Sequence, residues 1–287
     1  ISALEHHANL LPWQQLAQRR NLKLVILPLD ADGLIDLAGA VHLIGPRTRL
    51  LAISQLSNVL GAWQPLPALL GMAKAQNALT VVDGAQGVVH GRHDVQALGC
   101  DFYVFSSHKL YGPDGLGVLF GRNAALEQLK PWQFGGEMVL EANYHDARFR
   151  PAPLGFEAGT PPIASVIGLG ATLDYLAGLD QDAVSAHEAA LHDYLLRGLA
   201  ARNGIRLLGK PQLALASFVV EGVHNADLAH LLTEQGIAVR AGHHCAMPLL
   251  KSFELAGAIR VSLALYNDSE DLERFFEALD QALEMLR

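Results

Sequence analysis

Short apolar runs that end on polar side chains recur through the first half of this chain, and they restrict its fold more than any other feature. LLAIS (50–54) leads to Asn58, LTVV (79–82) to Asp83 and Gln86, and FYVF (102–105) to Ser106, His108 and Lys109. Near-continuous apolar character over four or five residues marks a strand buried on both faces. Helical patterns at 10–20 and 66–76 alternate with these runs, which predicts an α/β architecture with a mostly parallel sheet. In open sheets of this kind, sites form beyond the carboxyl ends of the strands. Polar groups from three strand ends are therefore expected to meet in one crevice.

Further strands are expected at 22–29 and 116–120, with a turn at Asp30-Ala-Asp-Gly33. A stretch rich in Gly, Pro and aromatics (131–162) separates this half from the rest, and 163–176 reads as a linking helix. Beyond it, helices at 183–201 and 227–235 and strands at 212–222, 237–240 and 259–263 predict a smaller α+β lobe with antiparallel pairing. The last helix repeats Leu272, Phe275, Phe276, Leu279, Leu283 and Leu286, with cap candidates at Asn267 to Ser269. The division expected is a large domain at 1–162 and a smaller one, including the linking helix, at 163–287. A chain of 287 residues, 51% hydrophobic, can bury two such cores.

Charge excludes several functions. The net charge of −8 comes with no basic cluster, so neither nucleic acid nor an anionic membrane is expected as partner. No apolar run reaches the roughly 18 residues of a membrane span. Two cysteines, Cys100 and Cys245, make no disulfide framework, which points to a cytoplasmic protein. There is no Walker A sequence, G-x-S-x-G elbow or dinucleotide fingerprint. Ile1-Ser-Ala-Leu4 reads like the tail of a strand, and a segment is expected to belong before it.

Lys109 is one of six lysines. At the end of an apolar strand, between Ser-Ser-His and a glycine-rich loop, it reads either as a solvated charge or as a catalytic amine. A lysine in a desolvated crevice forms Schiff bases with carbonyls, pyridoxal phosphate being the usual cofactor of that type. That cofactor needs a carboxylate on its pyridinium nitrogen, and Asp83 at the neighbouring strand end suits the role; the other reading of Asp83 is an Asx-turn. Cys245 follows an apparent strand in a segment with Arg240, His243 and His244, where cationic neighbours favour the nucleophilic thiolate. It also reads as a buried structural cysteine, or with the two histidines as a zinc site. On an extended segment His243 and Cys245 share a face and His244 does not. No CxxC or HxxxH partner exists elsewhere, so no metal is expected.

VVDGAQ followed by FYVFSSHKLYGPDGLGVL resembles the class V aminotransferase superfamily of pyridoxal-phosphate enzymes. EHHANLLPW, SNVLG (57–61), FEAGTPP (156–162), RAGHHCAMPLL (240–250) and RVSLALYN (260–267) narrow the resemblance to the group II cysteine desulfurases, the SufS/CsdA kind, also called selenocysteine lyases. The motifs span the chain in the family's order. The resemblance implies the fold type I of these transferases, a mostly parallel large domain with a smaller α+β C-terminal domain. It implies that Lys109 holds the cofactor, Asp83 pairs with the pyridinium nitrogen and Gln86 bonds the phenolic oxygen. Ser106 and His108 would bind the phosphate, and His6 would stack on the ring. Asn58 would lie near the phenolic oxygen or the substrate carboxylate. Thr160, with Gly159, would reach the neighbouring subunit's phosphate in a homodimer. Arg260 would clamp the substrate carboxylate and Arg240 would line the entrance. L-cysteine would be converted to L-alanine, with selenocysteine as a further substrate. Cys245 would take the sulfur as a persulfide and pass it to a SufE-like acceptor.

Three positions depart from the family pattern: Ser107 and Phe134 where glycine is usual, and Pro162 in place of asparagine. Two other readings remain beside the desulfurase. One is a different class V enzyme, an aminotransferase or epimerase, which would need Lys109 and Asp83 but not Cys245. The other is a non-catalytic fragment that serves as a dimerisation or docking module.

Overall fold

A computed structural model describes residues 1–91 and 93–287. The three apolar runs form β1 (Leu50–Ser54), β2 (Leu79–Asp83) and β3 (Phe102–Ser106), which pair in parallel in that order. The LGVLF run gives β4 (Gly117–Gly121), which turns back and pairs antiparallel with β3 at the edge. Register puts Ser54, Asp83 and Val104 side by side, so the three strand ends fall on one line. That alignment is what collects their polar groups.

The stretch at 131–162 is more ordered than its composition suggests. It contains a two-stranded hairpin, β5 (Val139–Ala142) and β6 (Ala147–Phe149), whose ends include the Met138–Arg150 main-chain bond. Helices Ile163–Ala177 and Gln181–Ala200 follow. The second sheet then assembles from β7 (Ile205–Leu207), β8 (Leu215–Val220), β9 (Arg240–Gly242) and β10 (Ala258–Ser262), in the order β7-β8-β10-β9 and antiparallel throughout. The final helix, Ser269–Leu286, starts on a reciprocal Asp268–Asp271 capping box and buries the expected apolar stripe, apart from half-exposed Leu286, against this sheet. No single helix among the described residues is long and apolar enough to cross a membrane.

Two expected strands differ. Residues 22–29 form only isolated bridges, Ser2 to Leu27 and Leu29 to Ile35, because Pro28 has no N–H to extend a ladder. The strand expected at 237–240 begins at Arg240 instead. Pairing with β10 sets its register, whereas Ile237 and Val239 pack on the second core before the ladder starts.

There are two cores. One lies around β1–β3 and takes in Leu208, Ala246, Leu249, Leu250 and Ala258 from the second half of the chain. The other lies between β8, β10 and the helices around Leu195, Leu232 and Leu279. The segment bearing Cys245 is thus anchored in the first core by its neighbours.

Candidate active site

Lys109 sits in a tight turn, Ser107–Leu110, that begins where β3 ends. Burial holds its ammonium below the ordinary lysine value; Asp83 opposes that shift, while Arg260 and Arg240 reinforce it. A lowered value makes the neutral amine, the form that bonds carbonyls and accepts protons, more available. With Gln86, His108, Tyr111, Arg260 and Ser262, Lys109 lines a cavity of about 230 Å³. A larger cavity of about 670 Å³ adjoins it and shares Val89, His90 and Tyr111, but it includes neither Lys109 nor Arg260.

Asp83 is the last residue of β2. Its Oδ1 accepts the Ala85 N–H at 2.9 Å, so the Asx-turn reading is satisfied by one oxygen alone. The loop after it depends on close approach. A Cβ on Gly84 would lie 2.0 Å from the Tyr103 ring, and one on Gly87 would lie 2.2 Å from Gln55 Oε1. Tyr103 donates to Gln55 at 2.6 Å, and Gln55 and the Gly87 carbonyl both contact His93. The carbonyl can only accept, so His93 Nε2 carries the proton and Nδ1 accepts from Gln55. This buried chain, which the sequence did not reveal, braces the Asp83–Gly87 turn from beneath.

Arg240 and Arg260 are directly paired across β9 and β10, so both project from one face. Arg260 donates to the Asn58 carbonyl at 2.9 Å, while its Nε is buried without a partner. Burial and the neighbouring Arg240 hold its value below the usual guanidinium range. Among the described residues neither arginine, nor Lys109, forms an ion pair. Two like charges with an orphaned buried donor form a site that an anion would complete.

Asn58 is buried and directs its amide Nδ2 to the His244 carbonyl at 2.8 Å, tying the Cys245 segment to the end of β1. His244 and Cys245 both adopt left-handed backbone, φ 51° and 56°, a conformation that costs non-glycine residues energy. Arg240 donates to Cys245 Sγ at 3.7 Å. Cys245 is half-buried, whereas Cys100 is fully buried, and burial raises the Cys100 thiol's value. Of the two, Cys245 is the more exposed and has a guanidinium in bonding reach of its sulfur.

His6 comes from the N-terminal turn. Its Nδ1 accepts the Ala8 N–H at 3.0 Å, which leaves the proton on Nε2. Burial and Lys109 lower its value. The turn is fixed by Glu5, a buried carboxylate that bonds Ser2, Asn9 and Ser54. Ser106, the last residue of β3, and His108 lie just before Lys109 in the chain, with His108 half-exposed. Thr160 is exposed and lines neither cavity. The structure therefore gathers His6, Asp83, Gln86, Lys109, Arg240, Cys245 and Arg260, and leaves Thr160 on the surface.

This donor set fits a pyridoxal phosphate. An amine of lowered basicity faces a cavity with a carboxylate behind it, polar strand-end groups beside it and an unpaired guanidinium across it. Ser107 is fully buried with its Oγ unpartnered, packed where a side chain on residue 112 would be; Gly112 leaves the room for it.

Comparison with known proteins agrees. The aminotransferase class-V family matches residues 1–275. A probable cysteine desulfurase of Pseudomonas putida is 79% identical over all 287 residues, which span 72% of that protein. A cysteine desulfurase of Dickeya dadantii is 45% identical over the whole chain, covering 70% of its own length. Among solved structures, the cysteine desulfurase CsdA of Escherichia coli superposes on the whole chain with a TM-score of 0.97 at 44% identity, over 72% of its own chain. The cysteine desulfurase of Thermococcus onnurineus gives 0.94 at 34%, covering 99% of this chain and 72% of its own.

Proposed function

The chain belongs to the class-V aminotransferase family and is a pyridoxal-phosphate-dependent cysteine desulfurase of fold type I, and on that footing we propose how its residues divide the work. Neither an aminotransferase or epimerase nor a non-catalytic fragment is favoured. Lys109 would hold the cofactor, Asp83 its ring nitrogen, and Gln86 its phenolic oxygen. Ser106 and His108 would receive the phosphate, and His6 would stack on the ring. When bound, the pyridoxal ring supplies an electron sink that acidifies Cα of the substrate.

The remaining chemistry belongs to the protein. Arg260, with Arg240 beside it, receives the carboxylate of L-cysteine, and Asn58 steadies Arg260 through its main-chain carbonyl. Lys109 Nζ accepts the Cα proton; burial, by disfavouring its charged form, keeps it free to do so. The Cys245 thiolate attacks the substrate sulfur. A new S–S bond forms, the substrate's C–S bond breaks, and its electron pair stays with the carbon that becomes the methyl group of L-alanine. The net change is L-cysteine plus Cys245 thiol giving L-alanine plus Cys245 persulfide.

The observation that carries this reading is that Lys109 and Arg260 line one cavity, while Arg240, paired with Arg260 across the sheet, donates to Cys245 Sγ at 3.7 Å. Lys109→Ala should remove the visible absorbance of the bound cofactor. Cys245→Ala should keep that absorbance and form no persulfide; full turnover on L-cysteine in this variant would refute the assignment.

Selenocysteine fits the same chemistry as a second substrate. The half-buried thiol at the rim suits a SufE-like acceptor that collects the sulfur. We place the enzyme in the cytoplasm as a homodimer. Exposed Trp132, Phe134 and Tyr144 around the β5–β6 hairpin, with exposed Ile163 and Ile167 on the following helix, favour the dimer, as does the outward position of Thr160. The chain is best divided near residue 162.

A further inference from the structure

The fold brings a third ligand to Cys245 that its sequence neighbourhood does not contain. The His7 N–H donates to the Cys245 carbonyl at 2.7 Å, and the Met247 N–H donates to His7 Nε2 at 3.2 Å. The His7 and His243 rings lie 5.6 Å apart, centroid to centroid. His7, His243 and Cys245 each offer one ligand atom, and these atoms all lie within 4.8 Å of one another. The expectation of no metal counted only His243 and Cys245 on one segment; the missing partner comes from 236 residues upstream of His243.

We propose that His7, His243 and Cys245 form a site for a soft divalent metal, zinc foremost, which caps the sulfur-accepting thiol. That the site binds metal stands on its own geometry; that capping stops sulfur transfer rests on the reading of Cys245 as the nucleophile.

The donor chemistry selects the metal. Two imidazoles and a thiolate suit zinc or copper, and the absence of any carboxylate in the cluster disfavours magnesium and calcium. Three protein ligands with a fourth position open to water is a pattern zinc adopts readily. Tetrahedral zinc spaces its ligand atoms about 3.5 Å apart, so the cluster needs to contract by roughly 1 Å at its widest. Side-chain rotation supplies that movement, because the backbone is already fixed. The His7 main chain is bonded to Cys245, the Cys245 N–H donates to His243 Nδ1 at 3.0 Å, and the following residues are anchored in the core.

Cationic neighbours oppose the metal, and Arg240 is the one in bonding reach of the sulfur. Arg240 donates to Cys245 Sγ at 3.7 Å, and its positive charge disfavours a second cation there. Arg240 is exposed, so it can swing into solvent as the metal takes over the thiolate. Binding releases the thiol proton to water and occupies the sulfur lone pair that would attack substrate. His7 and His243 have no part in the desulfuration chemistry described above, so Cys245 is the one metal ligand that the reaction also uses.

The test uses the cofactor-loaded protein and cobalt(II) or zinc alone. Cobalt should bind once per chain and give a thiolate-to-metal charge-transfer band with ligand-field bands to the red of the cofactor. His7→Ala and His243→Ala should each weaken binding more than roughly ten-fold, and Cys245→Ser should remove the charge-transfer band. Zinc should slow alkylation of Cys245 in the wild type and not in either histidine variant, and His7→Ala should keep its turnover on L-cysteine. A missing thiolate band, or wild-type affinity and zinc protection in both histidine variants, would overturn the site. Free cysteine competes for zinc, so the consequence is read in a single turnover: zinc-loaded wild type should form no persulfide, and His7→Ala with the same zinc should form it. If the cobalt band is present but zinc-loaded protein transfers sulfur normally, the nucleophile reading fails while the metal site stands.

Discussion

Individual side chains here answer questions that the sequence could only pose. Ser107 stands where the family prefers glycine, inside the run that carries Lys109, and the structure shows its hydroxyl sealed in without a partner against Gly112. A buried hydroxyl that bonds nothing costs stability, so Ser107→Ala should raise the unfolding free energy by about 1 kcal/mol in denaturant melts, with the cofactor spectrum unchanged. His244 is a second case. Its Nε2 proton goes to the Ala258 carbonyl at 3.0 Å, and burial with nearby Arg260 lowers its value to about 4. The unfolded histidine titrates near its ordinary 6.5, so between the two values the unfolded state binds more protons. Stability contributed by neutral His244 is therefore complete above about 6.5 and is lost as pH falls toward about 4. His244→Gln keeps an N–H donor without the titration and should flatten the fall in melting temperature across that window.

The strands were readable because each required residue lies in a local pattern. Runs such as LTVV are apolar for burial on both faces, and Asp83 or Lys109 follows within a few residues, so both the sheet and its crevice could be inferred from spacing. The loops were less readable, since their shape depends on what lies beneath them. Nothing near VVDGAQ in the chain announces that Tyr103, Gln55 and His93 brace it. Gly84→Ala should push the Asp83 turn off Tyr103 and cost about 1–3 kcal/mol, and cofactor should dissociate more readily on dialysis. The capping box of the last helix was visible as a cluster of cap residues, and Asp268→Ala should cost about 1 kcal/mol without changing the cofactor spectrum. Residues 22–29 had the composition of a strand, but Pro28, which has no N–H to give, limits them to isolated bridges.

Contacts between distant parts of the chain were the least legible and matter most for the chemistry. The N-terminal turn, held by buried Glu5, meets the Cys245 segment, which Asn58 ties to the end of β1. Arg260 enters from the second sheet to face Lys109 from the first. The cofactor side of the site and the sulfur-accepting side thus come from different halves of one molecule, brought together by long-range hydrogen bonds that no local pattern encodes. The exposed aromatic surface at the hairpin belongs to the same level of organisation. Light scattering should give twice the chain mass, and Trp132→Glu with Phe134→Glu should shift it toward the monomer. The most direct measurement is the location of sulfur after one turnover with L-cysteine, read by mass spectrometry of peptides from the loaded enzyme. One added sulfur atom on Cys245, together with one equivalent of L-alanine and no label on Cys100, is the expected result. L-alanine formed with Cys245 unmodified, or formed at the wild-type rate by Cys245→Ala, would contradict it.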